Sequence, residues 1–155
     1  MRSIRRAGLT AAIALTLLFW TAPGEAQLGL NCTITTVGVA FGVYDVFSAA
    51  PVDASGSVSY QCTLGVSIVV QLGTGSAGAF SPRTMLRSGE PLNYNLYLDA
   101  ARTQIWGNGT SGTSTHSALA TVLFPTVVPV HARLFPGQNV TVGSYSDSVV
   151  ATIVF

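Results

Sequence analysis

Chemistry in this 155-residue chain would have to come from few side chains: two cysteines, two histidines, and a thin set of carboxylates and arginines. Cys32 and Cys62 are spaced too widely for a C-x-x-C redox motif, and no histidine lies near either. An even pair of this kind in an exported chain reads as a structural disulfide. Closing a loop of about 30 residues removes roughly 3–4 kcal/mol of unfolded-state freedom on the chain-entropy model. His116 sits in a Ser/Thr-rich loop and His131 in a strand-forming run, and neither has further ligands at metal-binding spacing. Serines abound, so a Ser–His–Asp set can be assembled on paper, but no G-x-S-x-G elbow marks a nucleophile. The expectation is a protein with no enzymatic activity, metal, cofactor or small-molecule substrate. The remaining polar residues read as structural. Asp99 suits a strand end or turn, Asp147 the turn into the last strand, and Tyr145 a ring-buried corner tyrosine. Trp106 reads as a packed loop anchor. Arg83 has two candidate partners, Asp99 and Asp147, and sequence does not choose between them.

The segments that would position these residues begin with an export signal. Arg2, Arg5 and Arg6 precede an apolar run from Ala7 to Trp20, and small residues stand at Gly24 and Ala26. That is the pattern of a cleavable signal peptide over residues 1–26. The run is shorter than the roughly 20 residues a spanning helix needs. Residues 27–155 then form one domain by length, with high apolar content and little charge, which argues against disorder. After Ala26 the charged residues are Arg83, Arg87, Arg102 and Arg133 against Asp45, Asp53, Glu90, Asp99 and Asp147, with no lysine anywhere. No basic patch exists to hold nucleic acid or an anionic membrane.

Helical periodicity is nearly absent past the signal. Turn signals recur instead, at Val37-Gly38, Ala54-Ser55-Gly56, Gly73-Thr74-Gly75, Ser88-Gly89, Gly107-Asn108-Gly109, Pro136-Gly137 and Gly143. Short β-prone runs lie between them, the rhythm of a sandwich or barrel. The predicted strands are 31–36, 57–61, 67–72, 93–98, 119–124, 127–134 and 148–155. In the run Gly56-Ser-Val58-Ser-Tyr60-Gln-Cys62, Val58, Tyr60 and Cys62 share a face, which places Cys62 inside. Residues 73–82 and 107–117 read as loops.

The last run carries the functional signal. Val149, Ala151, Ile153 and Phe155 fall on one face, and Val150, Thr152 and Val154 on the other. Two largely apolar faces predict a strand deep within a sandwich. An immunoglobulin-like sandwich ordinarily places one more strand beside this one. Without it, an apolar groove and a row of unpaired backbone groups stay open, a hazard that a strand donated by another chain removes.

An ordered series of motifs runs through the chain. Phe41-Gly42-x-Tyr44 follows Cys32. Then come Gly56-x-Val58-x-Tyr60-x-Cys62, Arg83-x-Met85 and Leu92-x-Tyr94-x-Leu96-Tyr97-x-Asp99. Trp106-Gly107-x-Gly109, Pro136-Gly137-Gln138 and Gly143-x-Tyr145-x-Asp147-x-Val149 complete it. The series resembles the spore coat protein U domain family, which includes subunits of archaic chaperone–usher pili. The resemblance implies an all-β, immunoglobulin-like sandwich that is incomplete, lacking its final strand. It implies export through the periplasm to the cell surface, with a periplasmic pilus chaperone, an outer-membrane usher and other pilin subunits as partners. It also implies a structural role in a fibre used for attachment and biofilm. The acceptor edge is then Val149, Ala151, Ile153 and Phe155, and the arm before Cys32 offers Leu28 and Leu30 as alternating anchors for donation. Two further readings are a stand-alone coat-type protein and a surface-binding adhesin module using loops 73–82 and 107–117.

Overall fold

Alternating apolar residues between turn signals produce eight strands in the computed structural model, which describes residues 29–122 and 124–155. The segment 1–26 read as a signal, and Leu28, lie outside the described residues. The strands are β1 (Cys32–Val37), β2 (Val52–Cys62), β3 (Val66–Leu72), β4 (Arg83–Arg87), β5 (Glu90–Tyr97), β6 (His116–Ala120), β7 (Thr126–Leu134) and β8 (Ala151–Val154). They form two antiparallel sheets, one ordered β1-β2-β7-β5-β4 and the other β6-β3-β8. Among the described residues there is no helix. The expected all-β sandwich with one disulfide is therefore the architecture observed.

Period-two patterning builds the core. Val58, Tyr60 and Cys62 of β2 are each 2% exposed, as their shared face predicts. They meet Val128, Val130 and Leu134 of β7, Leu92 and Leu96 of β5, and Ile68, Val70 and Leu72 of the facing sheet. Cys32 and Cys62 are directly paired across β1 and β2 and are bridged, so the disulfide pins the edge strand to its one ladder partner among the described residues.

Three sequence expectations shift. The Ala54-Ser55-Gly56 turn signal is no turn, because β2 runs unbroken through it. A Cβ on Gly56 would lie 2.5 Å from the Val37 carbonyl oxygen and 3.0 Å from Val39 Cγ2. The glycine is there for the close approach of β1, not for chain reversal. The strand predicted over 119–124 is β6, beginning at His116, because His116 to Ala120 match Val70 to Val66 of β3 in register. β4 was not predicted at all. The last strand is also placed differently. β8 is an edge strand whose outer face, Val150, Thr152 and Val154, is exposed, while Val149, Ala151 and Ile153 are half-buried. Among the described residues no layer covers the outer face, so the apolar residues there do not report depth.

Candidate functional site

On one side the two edge strands approach each other, and beyond the end of β1 the sheets leave a gap. β1 ends the larger sheet and β8 ends the smaller one. The chain leaving β1 runs from Gly38 to Tyr44 along this side, with Val39, Phe41 and Tyr44 half-buried against the core. Phe41 packs edge-on against Tyr94, ring centroids 5.8 Å apart. Among the described residues, no backbone–backbone hydrogen bond ties Gly38–Tyr44 to a neighbouring strand. Opposite it runs the segment 140–150 that leads into β8. Between these two walls lies a cleft with two chambers, of about 390 Å3 and about 600 Å3, which share Val39, Phe41, Met85 and Tyr145 at their junction. Val58, Leu96 and Val130 line the first chamber, and Leu92 and Leu134 the second.

The backbone of the β8 wall is half-satisfied. Gly73 N–H donates to the Val150 carbonyl at 2.8 Å, so Val150 points its polar groups toward β3. Alternation along a strand then turns the N–H and C=O of Val149, Ala151 and Ile153 the other way, toward the open side. Of the four residues predicted to form an acceptor edge, Val149 and Ala151 line the cleft. Ile153 packs on the core beyond it, and Phe155 is exposed at the strand's end.

Polar side chains fix the 140–150 wall to the body of the sandwich. Asp147, at the rim, accepts hydrogen bonds from the Tyr94 hydroxyl at 2.6 Å, Ser76 N–H at 2.6 Å and Ser148 N–H at 2.7 Å. Burial works to raise its pKa, but these donors outweigh burial and hold the carboxyl below 3.8. The same contact, added to burial, pushes the Tyr94 hydroxyl far above its usual range. Stability from Asp147 is therefore fully present above pH 3.8 and is lost as pH falls through its depressed folded value. Asp147→Asn is expected to cost about 1–2 kcal/mol near neutral pH, since bonds to a charged acceptor are the stronger kind. Acid titration of both proteins checks this: the gap between them should narrow as pH falls below 3.8, and a constant gap would refute the assignment. Next to it, the Tyr145 hydroxyl bonds the Glu90 carboxylate at 2.6 Å and lies 3.0 Å from the Thr141 carbonyl. Glu90 also accepts Thr141 N–H at 2.8 Å. This set ties the 140–145 wall to the β4–β5 turn.

The other singled-out residues lie apart from the cleft or serve it as structure. Trp106 is 0% exposed and donates its indole N–H to the Val70 carbonyl at 3.1 Å, the packed anchor its sequence context predicts. Asp99 accepts from Thr103 and Gln104 N–H within its own loop. His116 lies 3.2 Å from the Tyr60 hydroxyl, and burial lowers its pKa below 6.5. His131 is in the other sheet, so the histidines share no site. Arg83 bonds neither of its candidate partners. It enters the interior and donates to the carbonyls of Gly73 and Trp106 and to Asn95 Oδ1. Among the described residues, no three His, Cys, Asp or Glu side chains converge as metal ligands would.

The described part of the arm, Gly29–Asn31, lies on the chain's own body. Asn31 N–H donates to Thr63 Oγ1 at 3.0 Å, Thr63 N–H to the Asn31 carbonyl at 2.8 Å, and Thr63 Oγ1 to the Gly29 carbonyl at 3.2 Å. Leu30 sits between these bonds, partly exposed.

A family model for the spore coat protein U domain matches residues 20–152. The chain belongs to the spore coat protein U domain family. Protein U of Myxococcus xanthus is 42% identical over 128 residues, an alignment spanning 74% of this chain and 70% of that protein. Among solved structures, a chain of the CsuC–CsuE chaperone–tip adhesion subunit pre-assembly complex superposes at a TM-score of 0.55 and 21% identity. That complex comes from the archaic chaperone-usher Csu pili of Acinetobacter baumannii. The match covers 81% of this family member but only 40% of the solved chain, and at that identity it shows the shared fold.

Proposed function

We propose that this spore coat U domain is a structural subunit of an exported surface fibre of the chaperone–usher type, and that its cleft accepts a β-strand from a partner. One observation carries the reading: an apolar cleft flanked by 38–44 on one side and by the outward-facing backbone groups of Val149, Ala151 and Ile153 on the other, none of which has a ladder partner among the described residues. A strand laid between 38–44 and 149–153 would bond both walls and place alternate side chains on Val58, Val130 and Leu134. Family membership, and a fold shared with a chain of a pilus chaperone–subunit complex, agree with it. The partners in this reading are a periplasmic chaperone, an outer-membrane usher and neighbouring subunits, reached after cleavage of the signal at Ala26. Attachment and biofilm are the fibre's role. For Leu28 and Leu30 to donate in turn, the bonds of Gly29 and Asn31 to Thr63 would first have to break. The arrangement therefore favours a subunit that accepts a strand over one that gives one.

The test is to append an alternating apolar strand after Phe155 through a short linker. Burying three apolar side chains at ~1.5–3 kcal/mol each, less the ordering of the strand, is expected to raise Tm by about 10 °C or more. The chain without it should aggregate when produced alone in the periplasm. Shifting the appended pattern by one residue turns its apolar face outward and should abolish the gain. Equal stability of all three proteins would sink the reading. A second reading, a coat-type protein laid down without a fibre, is favoured by the identity to Protein U. Immunogold labelling of cells separates filaments from a continuous layer.

A further inference from the structure

The cleft already holds side chains from one of its own walls. Gly38-Val39-Ala40-Phe41-Gly42 alternates as a strand does, with Val39 and Phe41 half-buried and Ala40 exposed. Val39 and Phe41 stand at the junction of the two chambers, which they share with Met85 and Tyr145. The Phe41 ring lies edge-on to Tyr94, itself buried. The backbone that carries these side chains has no ladder: among the described residues, no backbone–backbone hydrogen bond holds 38–44. The segment is tied at its two ends, by β1 before it and by the bond from Gln138 N–H to the Tyr44 hydroxyl at 2.8 Å after it. Gly42 has φ +76°, and a Cβ there would meet nothing within 4 Å. Close packing therefore does not require this glycine. The left-handed bend directly after Phe41 does.

We infer, resting on the strand-accepting reading, that Val39 and Phe41 form a self-supplied plug, which fills the junction while the cleft is empty and yields it to an incoming strand. A strand that runs through both chambers passes this junction, and its inward side chains need the space that Phe41 takes. The wall of the second chamber includes Gly42, Val43 and Tyr44. To pair with a strand there, the wall must itself be extended, so the bend at Gly42 opens. Phe41 then leaves Tyr94, and the backbone of 38–44 gains ladder bonds. The exchange is open to the chain because apolar contact, not a ladder, holds the plug in place, so no backbone pairing has to break first. The plug also sets a threshold. A strand shifts the balance toward the open wall only by what it gains there over the closed one. Phe41 thus fixes how much apolar surface a strand must bring in order to enter.

Two forms of the chain separate a plug from ordinary core. With the in-register strand appended after Phe155 the cleft is filled, and with the appended pattern shifted by one residue it is empty. Phe41→Ala and Gly42→Ala are made in both, and thermal unfolding is followed by circular dichroism. Phe41→Ala is expected to lower the Tm of the shifted chain by about 5–10 °C, for loss of a half-buried ring. It should lower that of the in-register chain by less than half as much, because the ring is already displaced there. Gly42→Ala is expected to lower the Tm of the shifted chain by about 5 °C, since alanine resists the left-handed bend, and to leave the in-register chain unchanged. Where Phe41→Ala leaves too little folded protein to melt, Gly42→Ala decides by the same comparison. Equal losses in the two forms would mean that the ring stays in place beside the strand, and would overturn the plug while the strand-accepting reading stands. If the two parent forms melt together, the strand-accepting reading falls and the plug falls with it.

Discussion

Replacing Arg83 with methionine is expected to cost about 3–5 kcal/mol, a large share of the ~5–15 kcal/mol that holds a domain together. Arg83 is 0% exposed. Its guanidinium donates to the Gly73 carbonyl at 2.8 Å, the Trp106 carbonyl at 2.6 Å and Asn95 Oδ1 at 3.1 Å. It thereby joins the loop after β3, the Trp106 loop and β5. Burial lowers its pKa, and the nearby Tyr94 and Asp147 work against that. The Phe80 ring lies 5.4 Å from the guanidinium carbon and gives it a favourable face. Methionine fills most of the volume but leaves the Gly73 and Trp106 carbonyls without donors, each worth about 1–3 kcal/mol, and leaves Asn95 Oδ1 with the Leu96 N–H alone. Arg83→Lys should fare little better, because an ammonium cannot present a planar fork to three separate acceptors. Urea unfolding of the strand-appended chain, followed by Trp106 fluorescence, measures both. A lysine variant as stable as the parent would mean that charge alone, not the fork, is what the site needs.

That arginine also marks where sequence stops being readable. Its neighbours in the chain, Ser81-Pro82 before and Thr84-Met85 after, give no period-two apolar signal, so β4 was invisible. An inward-facing position occupied by arginine looks like a surface position until its acceptors are known, and two of those are backbone carbonyls with no sequence signature. Gly56 misled for a related reason. Glycine marks both chain reversal and close approach, and only the position of Val37 separates them. What was legible rested mainly on side-chain alternation. The 58/60/62 face and the β3 and β7 strands followed from it, while the Cys32–Cys62 pair followed from cysteine number and the export signal. Alternation in β8 separates its two faces, but with both largely apolar it predicts both buried, and only Val149, Ala151 and Ile153 turn inward. It could not say that β8 has a neighbour on one side only, because sheet order is a long-range property. The cleft is visible in sequence as one wall, 149–155. Its other wall, 38–44, reads as a loop because it lacks ladder bonds, the property that suits it to receive a strand.

Removing the disulfide by Cys32→Ala with Cys62→Ala is expected to cost about 3–4 kcal/mol from loop closure alone, for the 30-residue separation observed. The structure adds a second, more specific consequence. Among the described residues β1 pairs only with β2, and its inward face is half-buried at Cys32 and Ile34 and exposed at Thr36. The bridge holds the strand at its first residue, beside the Thr63 bonds to Gly29 and Asn31. Release there lets β1 fray from its start, and β1 leads directly into 38–44, the wall of the cleft that has no ladder bonds of its own. Loss of unfolded-state restraint lowers stability equally whatever occupies the cleft. Loss of a wall instead weakens only an occupant that bonds to it. The double-alanine chain should therefore lose more Tm when the appended strand is in register than when its pattern is shifted by one residue. Equal losses in the two would leave the bridge as a restraint on the unfolded chain and nothing more. A larger loss for the in-register strand would make Cys32–Cys62 part of the strand-binding site, at a distance, through the single edge strand it secures.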